Sequence, residues 1–350
     1  MEIAARERAL VPILSVVTPC FNEAHSIAAY LDGVERALHA AGLAGRFEII
    51  VGDGMSTDGT RQWLAEAQRT RPWLRVVDNP QRKTPCGRNA AIQASRGQFI
   101  AIVDAHWQLP VDYFRLLLPA LDDPGIGAVG GICRSLGDGG FRRRLIAAAF
   151  ESPFATGAAM RSEADAKGEW SDVDSVPGGV LRREVLRRVG LFDPRLWRNQ
   201  DDEFMLRLRA YGLRVVQNRR VKVGYRTRGQ FHRLFRQYYE YGYYKRYALR
   251  AGRWGKAQYL TLGLVAYVAA ALLLVPVQPL VGLAALAAFP LTLTVVEMSW
   301  RAAHGKRASA LVVIPVLVMQ LGYGIGLWAG LLAGRRHPVA QPAQIPPLEA

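Results

Sequence analysis

Asp104 and His106 stand two positions apart at the end of an apolar run, in "FIAIVDAHWQLP". A hard carboxylate oxygen and an imidazole at that spacing can share a divalent cation, yet an isolated D-x-H reads as readily as the start of a turn, which Asp favours. Other segments place acids at the same kind of position. "TPCFNE" delivers Glu23 after "ILSVVTP", and "GDGMSTDGT" delivers Asp53 and Asp58 after "FEIIV". Further on, "NQDDEF" sets Asp201, Asp202 and Glu203 in succession behind Asn199. Asn199 suits a helix N-cap, and acids in a first turn complement the macrodipole without doing chemistry. Three successive acids exceed what capping requires. Asp58, with Ser56 and Thr57 beside it, can likewise cap the helix that follows it.

The elements that must position these residues alternate. "ILSVVTP", "FEIIVGDG", "LRVVDNP" and "QFIAIVDA" read as strands, and "AHSIAAYLDGVERALHAAG", "TRQWLAEAQRTR" and "GRNAAIQAS" between them as helices. Apolar strands alternating with helices imply a parallel sheet covered on both faces, and such sheets bind ligands beyond the carboxyl ends of their strands. One acidic strand end is a turn; three in one sheet make a site. No G-x-G-x-x-G follows the first strand and no G-x-x-x-x-G-K-[ST] occurs anywhere, which counts against dinucleotide oxidoreductases and P-loop NTPases. Cys20, Cys86 and Cys133 are odd in number and widely spaced, so neither a disulfide framework nor a zinc site is implied.

Lys and Arg number 45 against 29 Asp and Glu over 350 residues, a formal charge of +16. The excess is local: from Arg214 to Lys256 there are 13 basic residues and a single acid, Glu240. This basic stretch precedes three apolar runs, "YLTLGLVAYVAAALLLVPV", "PLVGLAALAAFPLTLTVVEMSW" and "LVVIPVLVMQLGYGIGLWAGLLAG", in which Glu297 is the only acid from Gln258 to Gly334. Each run is near the ~20 residues that cross a bilayer core, so three transmembrane helices are expected. A juxtamembrane basic cluster is drawn to anionic lipid, and no nucleic-acid motif accompanies it, so membrane lipid rather than nucleic acid is the expected partner. The N-terminal "ALVPILSVVTPCF" is broken by Pro12, Ser15 and Pro19 and reads as a first strand, not a signal peptide. The uncharged "PVQP" and the basic "RAAHGKRAS" between the spans put the latter, and the N-terminal domain, on the cytoplasmic side of the plasma membrane. Three spans would leave the C-terminus outside, against which the tail's "GRRH" argues mildly.

In order and spacing, "TPCFNEA", "VGDGMSTDGT", "GRNAAI", "IVDAH", "VPGGVLRREVLRRVGLFD" and "NQDDEFMLRLR" resemble the family 2 glycosyltransferases with a GT-A fold. Among these the chain looks most like the bacterial exopolysaccharide enzymes of the succinoglycan glucosyltransferase type. The resemblance implies a cytoplasmic catalytic domain over residues 1–225, a basic aromatic interfacial helix over 226–257, transmembrane helices over 258–334 and a tail over 335–350.

It also implies roles. Asp104 and His106 stand where the family has D-x-D, and would hold Mn²⁺ or Mg²⁺ against the departing diphosphate; His106 could instead donate to a phosphate. Pro19, Glu23, Asp53, Asp58 and Arg88 match nucleotide-contacting positions, Asp53 toward uracil or ribose. Outside that resemblance, Arg88 reads as a solvated charge. Gly178 and Gly179 would let backbone approach the donor sugar, or form an ordinary turn. The family's E-D pair maps onto Gln200-Asp201, making Asp201 the base and Asp202 and Glu203 candidates for orienting it or binding acceptor. The expected reaction is inverting transfer of a hexose from a nucleotide sugar, UDP-linked by expectation, to a polyprenyl-diphosphate-linked saccharide in exopolysaccharide or cell-surface glycan synthesis. Its rivals are a polyprenyl-phosphate sugar synthase and a non-catalytic sugar-nucleotide or lipid-binding membrane module, the second disfavoured because a binder needs no base. "GQFHRLFRQYYEYGYYKRYALRAGRW" interleaves aromatic rings with cations, as an in-plane interfacial helix does.

Overall fold

The computed structural model describes residues 12–137, 139–155, 168–226, 229–250, 256–307, 309–333 and 348. Trp254 of the basic aromatic stretch and the "GRRH" of the tail lie outside the described residues. The chain forms two units: Met1–Arg134 with Ser162–Tyr225 and Val339–Ala350, and Ser135–Arg161 with Arg226–Pro338. The break at 225 falls where the sequence pattern changes. That 135–161 goes with the C-terminal helices has no counterpart in that pattern.

In the first unit, β1 (Leu14–Cys20), β2 (Phe47–Asp53), β3 (Leu74–Asp78) and β4 (Phe99–Ile102) pair in parallel in the order 3-2-1-4, with α1 (Ile27–Ala40), α2 (Thr60–Thr70) and α3 (Thr84–Ala94) between them. The register sets Cys20 beside Asp53 and Asp53 beside Asp78, so the strands finish together and their loops meet at one edge. All seven residues of β2 are buried, as a central strand covered on both faces requires. Gly52 is needed here, since a Cβ would collide with the carbonyl of Gly87 on α3.

Beyond β4 the sheet turns antiparallel. The chain continues through the short β5 (Trp107–Gln108), α4 (Tyr113–Leu117), β6 (Ile126–Leu136), and later β7 (Trp170–Asp172), β8 (Gly179–Arg182), α6 (Arg183–Val189), α7 (Gln200–Ala210) and β9 (Arg214–Arg226), with α5 (Phe141–Phe150) belonging to the second unit. Strand β8 slots between β4 and β6, antiparallel to both. Phe192, Phe204, Leu208, Leu186 and Val176 join Ile50, Ile100 and Ile102 in the core beneath the strand ends.

The second unit holds α5 (Phe141–Phe150), α8 (Phe231–Arg250), α9 (Lys256–Leu274), α10 (Pro279–Ala303) and α11 (Val313–Leu332). All three apolar runs are helical. Pro279–Ala303 and Ala310–Leu332, with mean hydropathies of 2.0 and 2.1, are long and apolar enough to cross a membrane, whereas Gln258–Leu274 is shorter. The basic aromatic segment is a helix too, but α8 lies along α11. Gly322, Gly326 and Gly330 of α11 abut the carbonyls of Phe235, Tyr239 and Tyr243 in turn, so the two helices run parallel and backbone to backbone. Small residues every fourth position permit that approach.

Candidate active site

The loops after β1 and β2 are sewn together. The Asn22 N–H donates to Ser56 Oγ (2.8 Å), Thr57 N–H to Asn22 Oδ1 (2.9 Å), Glu23 N–H to Thr60 Oγ1 (2.9 Å) and Ala24 N–H to Asp58 Oδ2 (3.0 Å). Asp58 Oδ1 also accepts from the Thr60 N–H (3.1 Å) and hydroxyl (2.5 Å), and these bonds, the Thr60 hydroxyl first, hold its carboxyl below the ordinary range. Both its oxygens thus bind the chain's own loops. Asp53 is fully buried and accepts from the Ser56 hydroxyl (2.6 Å), the Ser56 N–H (3.1 Å) and Arg61 (2.7 Å), which reaches on to Asp78 (2.9 Å).

Asp104 follows β4, and its carbonyl accepts the Trp107 N–H (3.0 Å), closing a tight turn around His106. His106 is partly exposed, edge-on to Tyr225 with centroids 5.6 Å apart, and its Nδ1 lies 3.9 Å from Glu23 Oε1. Glu23 is steadied by the Ser26 hydroxyl at 2.5 Å.

The joint of the site is Arg88, which is 1 % exposed rather than solvated. Its Nη1 donates to Asp201 Oδ1 (2.5 Å) and its Nη2 to Asp104 Oδ1 (2.9 Å), so one guanidinium gathers the end of β4 and the first turn of α7. Arg88 lies over the Phe192 ring (5.3 Å), which stacks on Phe204, and Asn89 fixes Phe192 by exchanging two hydrogen bonds with its backbone (2.8 and 3.0 Å). Nε of Arg88 is buried without a partner.

The two carboxylates differ. Burial works against the charge of Asp104, but Arg88 and then His106 hold its carboxyl below the usual range. Burial raises Asp201 most, and together with the repulsion of Asp104 and Asp202 it outweighs the help of Arg88, leaving the carboxyl above that range. A carboxylate so raised is a better proton acceptor than a free one. Asn199 sits at the N-cap position of α7 in left-handed backbone (φ 58°) without a side-chain cap bond. Asp202 flanks Asp201, half-buried. Glu203 faces elsewhere, forked onto Arg207 (2.6 and 2.9 Å), whose other donors hold the Val189 and Leu191 carbonyls.

Pro19 stands beside Gly52 at the shared strand edge. Gly178 and Gly179 have φ of +63° and +99°; a side chain at Gly178 would strike the Ile102 carbonyl and Trp107, and one at Gly179 the Val129 carbonyl. What the missing side chains admit here is neighbouring strand.

The structure therefore brings Asp104, Asp201 and Arg88 together, with His106 and Glu23 facing each other and Asp53 at the same strand edge. Among the described residues no three His, Cys, Asp or Glu side chains form a ready metal cage. Sequence reasoning missed Arg61, Asn89 and Phe192; the polar pair Arg88-Asn89 inside an otherwise apolar helical "GRNAAI" was the available signal.

The family model for glycosyl transferase family 2 matches residues 15–190, which carry the sheet and the strand-end residues. The chain belongs to glycosyl transferase family 2 and is a glycosyltransferase. It is 27 % identical over 328 residues, 92 % of its length and 96 % of the relative's, to the succinoglycan biosynthesis protein ExoA of Rhizobium meliloti (strain 1021). Over 94 residues, 27 % of this chain and 34 % of the relative, it is 30 % identical to the Escherichia coli UDP-Glc:alpha-D-GlcNAc-diphosphoundecaprenol beta-1,3-glucosyltransferase WfgD. Among solved structures, the mannosyltransferase PcManGT from Pyrobaculum calidifontis, in complex with GDP-Man and Mn²⁺, superposes with a TM-score of 0.56 at 21 % identity, over 93 % of this chain and 88 % of that one. The fold is GT-A, as the sequence implied.

Proposed function

We propose that this glycosyltransferase is an inverting, metal-dependent enzyme of the plasma membrane, its catalytic domain cytoplasmic, that moves a hexose from a UDP-sugar to a polyprenyl-diphosphate-linked saccharide in exopolysaccharide or cell-surface glycan assembly. The observation that carries this reading is the Asp104–Arg88–Asp201 bridge, which sets a proton acceptor beside a strand-end acid. The names of ExoA and of WfgD support the pathway and the lipid-linked acceptor. The two long apolar helices support the membrane location.

Asp201 takes the proton of the acceptor hydroxyl as it attacks the anomeric carbon, opposite the departing nucleoside diphosphate. Single displacement from that side inverts the centre. Arg88 fixes the spacing of the two acids and keeps Asp104 ionised, while Asp53, held by Ser56 and Arg61, and Glu23 serve the nucleotide side. The donor set fits a cation: Asp104 commits one oxygen to Arg88, and His106 is partly exposed two residues on. Asp104 and His106 would hold Mn²⁺ or Mg²⁺ with the remaining positions filled by phosphates and water, and the ion would offset the charge of the leaving diphosphate.

Purified protein incubated with a panel of nucleotide sugars and a bacterial lipid extract should label a lipid-linked saccharide from one UDP-hexose and stop in excess EDTA. Full activity in EDTA would remove the metal from this reading. Transfer to polyprenyl phosphate alone would replace the acceptor.

A further inference from the structure

Helix α5, in a segment that interrupts the catalytic unit in sequence, begins with a cationic turn. Its first four residues, Phe141 (59 % exposed), Arg142, Arg143 and Arg144, are all exposed, whereas Leu145, Ile146, Ala149 and Phe150 are buried in the core of the helical unit with Val312, Val313, Val316 and Met319. None of the three arginine side chains has an ion pair or hydrogen bond among the described residues. Three cations in a first helical turn oppose the macrodipole, so they do not serve the helix.

The far end of α5 is clamped. Ser152 donates to Glu297 Oε2 (2.6 Å), Arg301 Nε to Glu297 Oε1 (2.7 Å) and Arg301 Nη2 to the Ala148 carbonyl (2.6 Å), with Glu297 and Arg301 both buried. Outside this network Lys306 pairs with Glu151 (2.9 Å) and lies over Trp300 (5.3 Å), which stacks on His304. Trp, His and Lys cluster where a span of α10 would leave the bilayer, as interfacial anchors do. The clamp holds α5 at that level. The basic aromatic helix α8 is less free to meet lipid, because the Phe235, Tyr239 and Tyr243 backbones are taken by the α11 glycines and Tyr238 is buried.

We infer that Phe141 and Arg142, Arg143 and Arg144 form an interfacial contact that binds the anionic phospholipid headgroups of the leaflet facing the loop between α10 and α11. Cations reach the headgroup phosphates while the adjacent aromatic ring enters at the acyl boundary. The inference rests on the membrane reading proposed above, but not on the sugar chemistry.

The test uses the full chain with Gly140→Cys, an exposed position with open space around it, and Cys86→Ala, since Cys20 and Cys133 are buried. A fluorophore on residue 140 is read in phosphatidylcholine vesicles with and without phosphatidylglycerol, both carrying nitroxide-headgroup lipid. Quenching should appear in the anionic vesicles and weaken as salt is raised. Changing Arg142, Arg143 and Arg144 to Gln should shift the partition of the helix by up to about a hundredfold, removing most of the quenching. Equal quenching in neutral vesicles, or none of it lost in the triple variant, overturns the inference. Carbonate extraction of the same vesicles separates the failures: protein released by carbonate defeats the membrane reading itself, while retained protein with an unquenched label defeats the role of α5 alone.

Discussion

Arg88 and Arg301 are both buried arginines paired with acids, one in each unit, and they do opposite work. Arg301 meets one carboxylate and one carbonyl, its acid Glu297 is fully buried, and a serine hydroxyl completes the set. Arg88 meets two carboxylates that remain about a fifth to a quarter exposed, and its Nε has no partner. A closed set costs heavily to open and so fixes structure. An arginine shared by two part-exposed acids, with a buried donor unspent, holds charge at an edge open to solvent. Burial alone does not separate these two arginines; what separates them is whether the partner acid's other oxygen is spoken for.

That contrast can be broken by mutation. Asp201→Asn keeps shape but cannot accept a proton, so transfer should fall by about 10²- to 10⁴-fold while donor affinity, by calorimetry on the same preparation, holds. A variant retaining more than about a tenth of the rate would move the base to Asp202. On the strut side, Glu297→Ala leaves Arg301 charged and buried, which should cost about 3–5 kcal/mol of stability, read as a lowered thermal midpoint in detergent. Transfer per folded molecule should persist. Glu203→Gln sharpens the distinction within one helical turn: losing the fork onto Arg207 should cost about 1.5–3 kcal/mol, with little change in rate, because that carboxylate is already spent. A large rate loss at normal stability would return Glu203 to the catalytic group.

The smallest expected effect is in pH. A base must be ionised, and Asp201 sits above the ordinary carboxylate range, so kcat/KM should drop on acidification at a pH above the ~3.9 of a free aspartate. The stability sign is opposite to that of an acid held below its usual range, such as Asp104: the folded state holds the Asp201 proton more tightly than the unfolded one, so its contribution is present at low pH and is lost as pH rises through the folded value. An acid limb that survives unchanged in residual Asp201→Asn activity would assign it to another group.

Much of the first unit was legible. Alternation of apolar strands with helices made the parallel β1–β4 region readable, and the strand-end acids lie at the edge where its loops meet. The antiparallel insertion of β8 was not readable, since "GVLR" carries no sign of its neighbours. Nor was the role of Arg88: positions 88, 104 and 201 become a bridge only once α3, β4 and α7 converge. Asp58 offered two readings, and its carboxylate is taken up by the Ala24 and Thr60 bonds that its ST-rich surroundings suggested. In the second unit the cations and rings around 226–256 suggested lipid contact, yet the four-residue glycine spacing in "GYGIGLWAG" already signalled a close helix neighbour.

The parallel α8–α11 seam carries a consequence in time. Helix α8 leaves the ribosome roughly eighty residues before α11, and at about 5–20 residues per second its glycine-receiving face waits several seconds for its partner. Parallel neighbours cannot form from a single hairpin, so α9 and α10 must be laid down first. The catalytic strands are by then complete, and a nascent chain stalled before Val313 would leave the helical unit unclosed and the core of the first unit without Leu348. Quality control of the helical unit therefore falls on Val313–Leu332, the twenty residues that meet the waiting face of α8.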